Sequence, residues 1–93
     1  MDSRHHEALF ASLVLTLHAA AMQHLGKVKN PVSDTIDRNL EQAQMVIDLL
    51  DMLTAKTKGN LGTEESSMLN RTIQELKLNY VDEVAKEQQK APS

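Results

Sequence analysis

The sequence contains no cysteine and no tryptophan, and its only aromatic side chains are Phe10 and Tyr80. Without cysteine, the chain can form neither a disulfide framework nor a thiol-based site. With so few aromatic rings, it also lacks the stacking platforms on which single-stranded nucleic acids bind. The 10 Lys and Arg residues are scattered and outnumbered by 13 Asp and Glu residues, so no basic patch is present for phosphate binding. We therefore expect no nucleic-acid partner.

Charge is absent from residues 8–26, ALFASLVLTLHAAAMQHLG, which include no Asp, Glu, Lys or Arg. On a helix, the apolar residues of this stretch point in several directions instead of forming one stripe. Such a helix is either buried on several sides or inserted in lipid. One small subunit can hardly enclose it, so we predict a homo-oligomer, either a dimer or a dimer of dimers. The predicted interface residues are Phe10, Leu13, Val14, Leu15, Leu17 and Met22.

Two alternatives place this stretch in or across a membrane. Its length suffices for a spanning helix, but His18 and His24, among other polar side chains, make insertion in lipid costly. A cleaved signal peptide would need a basic start, whereas the leader carries Asp2 and Glu7 beside a single Arg4. We therefore expect a cytoplasmic protein that does not enter the membrane, a location with which the missing cysteines agree.

Three periodic segments, with no strand-like alternation, predict an all-α fold in one domain over residues 1–93. The predicted helices span about 3–25, 38–58 and 63–87, and the tail at 88–93 should fray because it has nothing to bury. A short connection should make the second and third helices an antiparallel hairpin, packed against the long apolar first helix. We expect these three-helix subunits to assemble as a helical bundle.

Capping residues mark the helix ends. A side chain suited to an N-cap stands within one residue of the start of each predicted helix, and a glycine follows each of the first two. The N-cap candidates are Ser3, Asn39 and Thr63, and the glycines are Gly26 and Gly59. In the loop between the first two helices, we expect Val32 and Ile36 to pin the chain to the core.

No arrangement of side chains predicts catalysis. The serines lack a glycine elbow with an aligned histidine and acid, and Asp48 and Asp51 belong to the polar side of the second helix. The histidines lack the three- or four-residue spacing that holds a metal on one helix. We therefore predict a non-catalytic interaction or scaffold protein without cofactor or metal. The alternative is a small-molecule-binding or metal-binding bundle, or an enzyme, with a site between subunits around His24.

The most specific polar cluster lies where the second predicted helix ends, at Lys56, Thr57, Lys58 and Asn60 around Gly59. A helix stop explains the glycine, which supplies a left-handed backbone, and the lysines, which complement the helix dipole. It does not explain Thr57 or Asn60 by identity. One hypothesis is therefore that Lys56, Thr57, Lys58 and Asn60 dock an unidentified protein partner.

Several short runs together resemble a known family. They are His24-Leu25-Gly26, Asn30-Pro31, Ile47-Asp48-Leu49-Leu50, and above all KTKGNL at residues 56–61, followed by Glu64-Glu65. On these residues the chain resembles a family of short bacterial proteins, domain of unknown function eighteen-forty-four. The resemblance implies a small helical protein and carries no activity over. Two positions depart from the family pattern, since it does not call for His18, and Gly62 stands where a threonine or serine is expected.

Overall fold

The computed structural model describes residues 3–90 and consists of three α-helices. Helix α1 spans Ser3–His24, α2 spans Leu40–Lys56 and α3 spans Thr63–Lys90. Each helix packs against the other two. Within the described residues, the only β pairing is an isolated bridge between Asn30 and Thr35. The predicted all-α fold of three packed helices is therefore confirmed.

The helices run up, down and up. The backbone N–H of Asn39 donates to the carbonyl of His24 at 2.7 Å, which places the start of α2 beside the end of α1. The connection from α2 to α3 is short, so these two helices form an antiparallel hairpin. As a result α1 and α3 run parallel, and His18 of α1 lies beside Glu75 of α3.

A column of aliphatic side chains from all three helices forms the core. Each helix supplies its buried residues at three- and four-residue spacing, which keeps them on one face. The buried apolar residues are Val14, Ala21, Leu25, Ala43, Val46, Ile47, Leu50, Leu69, Ile73 and Leu76. Partly buried side chains such as Leu40, Leu61 and Tyr80 surround this column. The three helices of a single chain therefore enclose the inner face of α1 by themselves.

Glycines stop the first two helices as the sequence predicts. Gly26 has a φ of 79° and Gly59 has a φ of 85°, angles at which a residue with a side chain would be strained. After α1, the Lys27 N–H donates to the Met22 carbonyl at 2.9 Å, and the Gly26 N–H donates to the Gln23 carbonyl at 3.0 Å. These two bonds form a Schellman motif, which satisfies carbonyls that the end of the helix leaves free.

The start of α3 differs from the prediction in its capping residue. The Ser66 N–H donates to the Gly62 carbonyl at 3.0 Å, so the first helical hydrogen bond begins at Gly62. The Glu65 carboxylate accepts the Gly62 N–H at 2.8 Å, which is one half of a capping box. Gly62, and not Thr63, is therefore the N-cap, because the glutamate three residues later supplies the side-chain bond.

The end of α3 also differs, because the helix continues past the predicted 87 to Lys90. Residues 88–90 are therefore helical and not frayed, whereas 91–93 of the predicted tail lie outside the described residues. An ion pair between Arg38 and Glu87 gives the physical reason. It ties the last turns of α3 to the segment that enters α2.

Its own polar groups, and not the apolar core, hold the loop between α1 and α2. Asn30 donates its N–H to the Thr35 carbonyl at 2.8 Å, and its side-chain oxygen accepts the Val32 N–H at 2.8 Å. This tight turn directs Val32 outward, leaving it 94% exposed, and Ile36 is exposed as well. The expectation that Val32 and Ile36 pin the loop to the core is therefore wrong.

Candidate functional site

The predicted interface residues of α1 fall into two groups. One group packs against the subunit's own core and comprises Val14, which is fully buried, with the partly buried Phe10, Leu17 and Met22. The other group is open to solvent and comprises Leu13, 44% exposed, and Leu15, 58% exposed. Val14 has no surface left for a second subunit, because the three-helix core already encloses it.

The two exposed leucines lie on opposite sides of α1. They are two residues apart, which corresponds to a rotation of about 200° on an α-helix. Leu15 lies beside α3, where it borders a groove together with Met68. Leu13 lies on the far side of α1, one turn after Leu9, which is 51% exposed. The single predicted interface is therefore split into two separate surfaces.

On the far side, Leu9, Leu13, Thr16 and Ala20 form what we call the α1 outer strip. Their spacing of four, three and four residues places them on one face of the helix. The strip lies within the stretch that carries no Asp, Glu, Lys or Arg. Its side chains also decrease in size along the helix, from two leucines to a threonine and an alanine.

A groove of about 430 Å³ opens beside the small-residue half of this strip. Thr16, Ala19, Ala20 and Gln23 of α1 form one wall, and Val28, Lys29 and Pro31 of the loop form the other. The wall of α1 is low because alanine has only a methyl group. The loop wall is held in place by the turn at Asn30 described above. The outer strip thus presents leucines at one end and a shallow apolar recess at the other.

A second open surface, which we call the α1–α3 groove, contains Leu15 of the predicted interface and His18, a histidine for which the sequence predicted no role. It has a volume of about 440 Å³ and is bordered by Leu15, His18, Met68, Arg71, Thr72 and Glu75. The His18 Nε2 atom lies 3.0 Å from a Glu75 carboxylate oxygen. The sequence holds one signal for this contact, since His18 follows the buried Val14 by one turn and therefore lies near the core side of α1.

An ionic cluster joins the loop to α3. Glu83 is a buried residue, only 6% exposed. Its carboxylate oxygens lie 2.7 Å from Lys27 Nζ, 3.0 Å from Arg38 and 3.0 Å from Lys86. The hydrogen bond from Lys27 is the main cause that holds the pKa of Glu83 at about 2, against the opposing effect of burial. The same bond is the main cause that raises the pKa of Lys27 to about 12.

Sequence reasoning missed this cluster. Glu83 lies seven residues after Leu76 and three residues after Tyr80, so it continues their inward face of α3. A carboxylate that is buried at such a position needs a cation beside it. Its partners Lys27 and Arg38 come from a distant segment, however, and no spacing in the sequence connects them with α3. The cluster therefore has a structural role, since it links the loop between α1 and α2 to the C-terminal part of α3.

At the hairpin tip, local hydrogen bonds account for part of the polar run. The Thr57 hydroxyl donates to the Leu53 carbonyl at 2.6 Å, and the Thr57 N–H donates to the same carbonyl at 2.9 Å. The Asn60 N–H donates to the Thr57 carbonyl at 2.8 Å. Lys56 and Lys58 are exposed. Thr57 therefore has a role as the C-cap of α2, and docking of a partner at this tip stays a prediction.

The histidine proposed for a shared site, His24, is half-buried at the last position of α1. Its backbone carbonyl accepts the Asn39 N–H, whereas its ring has no hydrogen-bond partner in the part of the chain that the structure describes. Across residues 3–90, no three His, Asp or Glu side chains are grouped closely enough to hold a metal ion. A site completed by a second subunit stays a prediction.

The acidic residues of α2 lie where the polar face was expected. Asp48 accepts a hydrogen bond from the Gln44 side chain at 2.9 Å, and Asp51 lies 3.4 Å from Lys77 of α3. Both carboxylates belong to exposed residues. They therefore lie on the exposed polar face of the hairpin, each with a partner of its own.

Comparison with known proteins adds a family. A family model described as Domain of unknown function (DUF1844) matches residues 7–82, a range that includes both HLG at 24–26 and KTKGNL at 56–61. No curated protein and no solved structure matches the chain. Among the described residues, no helix combines the length and the apolar character that crossing a bilayer requires.

Proposed function

This chain belongs to that family of unknown function, and we propose that it is a non-catalytic interaction or scaffold protein that works as a homo-oligomer. The surface that a second copy covers is the α1 outer strip. The observation that carries the proposal is that Leu9 and Leu13 are about half exposed, although they lie on a stretch of helix without any charged residue. A cytoplasmic location forms part of the proposal and rests on the sequence alone.

The shape of the strip favours a second copy over other occupants. If α1 packs antiparallel to its counterpart around a two-fold axis near Thr16, residues 13 and 19 are equally far from the axis. Leu13 of one copy then enters the recess at Ala19 and Ala20 of the other copy, and the reverse contact follows by symmetry. The leucine end of each strip thus meets the small-residue end of its counterpart.

Charge and burial support the same arrangement. The strip carries no charge, so two copies meet there without repulsion between like charges. Leu49 of α2 is also exposed. Counted from the contact between His24 and Asn39, it lies about as many residues along α2 as Leu13 does along α1, so the two leucines are at a similar level of the bundle. Burying the exposed half of Leu9 or Leu13 contributes roughly 0.7–1.5 kcal/mol per side chain. Four such leucines in a dimer contribute roughly 3–6 kcal/mol, and burial of Thr16, Ala19 and Ala20 beside them supplies the remainder of the roughly 8 kcal/mol that micromolar affinity requires.

The test measures mass in solution for three proteins by sedimentation velocity or light scattering. We expect the wild type to be dimeric at micromolar concentration and Leu13→Glu to be monomeric, because the glutamate would bring a buried charge to each recess. Leu78→Glu is the matched control, since Leu78 is 73% exposed on the outer face of α3. It should assemble like the wild type. A monomeric wild type, or equal effects of the two substitutions, would refute the proposal.

A further inference from the structure

The α1–α3 groove lies on the other side of α1 and contains an arginine that has no partner among the described residues. Arg71 borders the groove beside Leu15 and Met68, and within residues 3–90 it forms no hydrogen bond or ion pair. In the same groove, His18 and Glu75 satisfy each other at 3.0 Å. Arg71 is therefore the one cation of this groove whose donors remain available, and it stands next to apolar side chains.

The groove continues toward the start of α1 through shared residues. Met68 and Arg71 also border a shallow surface with Glu64, and Met68 borders a smaller recess with Glu7 and Phe10. Glu7 and Glu64 have no ion-pair partner in the described part of the chain. The surface is thus apolar along its floor, acidic at one end and basic two turns farther along α3.

We propose that this groove binds an amphipathic helix of another protein, with an acidic side chain placed against Arg71. Two parallel helices offer a furrow into which a third helix packs. Methionine suits such a surface because its flexible side chain adapts to the partner. The groove is open along its length, whereas small-molecule sites enclose most of their ligand. The second copy is assigned to the α1 outer strip, on the opposite side of α1.

The charged residues that border the groove determine where the partner helix carries its own charges. Glu64 and Arg71 are separated by two helical turns, roughly 10 Å at 1.5 Å per residue. A partner helix that lies along α3 therefore carries a basic and an acidic side chain at that separation, on the border of its apolar stripe. The basic group faces Glu7 and Glu64, and the acidic group faces Arg71. The guanidinium can hold a carboxylate with two parallel hydrogen bonds, which lysine cannot do.

The experiment uses two synthetic amphipathic peptides that differ at one position. Both have a leucine stripe and a lysine at one end, and the position two turns away is glutamate in the first peptide and lysine in the second. Each is labelled and titrated with the full chain, and binding is followed by fluorescence anisotropy. We expect the wild type to bind the glutamate peptide about fivefold more tightly. Arg71→Glu should reverse the preference, and Lys77→Glu, which changes a charge on the α2 side of α3, should retain it.

The outcomes separate this proposal from the homodimer. Leu15→Asp should weaken both peptides, because it charges the floor of the groove, while circular dichroism checks that the variant is folded. Peptide binding should leave the protein dimeric, so that the measured mass rises only by that of the bound peptide. Failure to bind either peptide, equal binding of both, or an unchanged preference in Arg71→Glu overturns the proposal. An altered oligomeric state in Arg71→Glu also overturns it, because it would assign the groove to a second copy.

Discussion

Replacing Glu83 with glutamine keeps the size of the side chain and removes the charge that Lys27, Arg38 and Lys86 share. In the wild type, all three cations lie within 3.0 Å of the Glu83 carboxylate. The variant leaves these cations facing a neutral amide, which accepts a hydrogen bond at one atom only. Lys27 and Arg38 can still turn partly toward water, since their side chains are 23% and 24% exposed.

The partial exposure of these cations limits how much unfolding free energy Glu83→Gln loses. Breaking a fully buried ion pair costs about 3–5 kcal/mol, whereas a single hydrogen bond to a charged group contributes about 1.5–3 kcal/mol. Because the cations are able to recover hydration, we expect Glu83→Gln to lower the free energy of unfolding by about 1–3 kcal/mol. For a domain of this size, each kcal/mol corresponds to a melting temperature about 4–8 °C lower.

The pH dependence gives a second readout. The pKa of Glu83 is about 2 in the folded protein, well below the ordinary glutamate value of 4.5, so folding favours the ionised form. Its contribution to stability is therefore complete above pH 4.5 and is lost as the pH falls from there toward 2. Glu83→Gln has no such group, so its unfolding free energy should change less with pH across this window.

Urea denaturation followed by circular dichroism measures both effects, at one protein concentration so that any dimer contributes equally. Asp82→Asn is the control, because Asp82 also pairs with Lys27 but its side chain is 54% exposed. An exposed pair contributes little to stability, so Asp82→Asn should unfold close to the wild type. If Glu83→Gln is as stable as Asp82→Asn, or keeps the wild-type loss of stability in acid, the buried carboxylate does not have the role assigned to it.

Two predictions concern the helix ends. Gly59→Ala should lower the free energy of unfolding by about 1–2 kcal/mol, because the backbone at Gly59 is left-handed. Gly26→Ala should lower it more, since a Cβ at Gly26 would lie 3.3 Å from two carbons of Arg38. Nothing lies within 4 Å of a Cβ at Gly59. Thermal unfolding of the two variants compares them, and equal costs would contradict the contact. Asn39→Ala should cost about 0.5–2 kcal/mol through loss of the N-cap, while Asn39→Asp, which keeps an acceptor oxygen, should unfold close to the wild-type temperature.

The helices could be read from the sequence because local patterns encode them. Spacing such as that of Leu69, Ile73 and Leu76 shows the buried face of a helix, and Gly26 and Gly59 show where a helix ends. Such signals depend on residues near one another in the chain. The cap at Gly62 was missed, although its signal was present, because glycine lacks the side-chain acceptor of a usual N-cap and the Glu65 carboxylate instead accepts the Gly62 N–H.

The candidate surfaces were less accessible to sequence reasoning. Whether Leu13 and Leu15 belong to one interface depends on where α2 and α3 pack around α1, and periodicity does not contain that information. The pairing of Glu83 with Lys27 and Arg38 likewise joins residues that are far apart in the chain. Val32 was misassigned because an aliphatic residue in a loop was expected to be buried, whereas hydrogen bonds at Asn30 orient it toward solvent.

Because of the ionic cluster at Glu83, acid should destabilise the end of the bundle that contains the last turns of α3 more than the end that contains the hairpin tip. The buried apolar residues of α3 extend only as far as Leu76, so beyond Tyr80 the helix is attached mainly by charge. Acid neutralises that attachment but leaves the aliphatic column unaffected. The last turns of α3 and the neighbouring loop should therefore separate first, as a cooperative unit of their own, and exchange amide hydrogens at a pH where the hairpin tip is still protected.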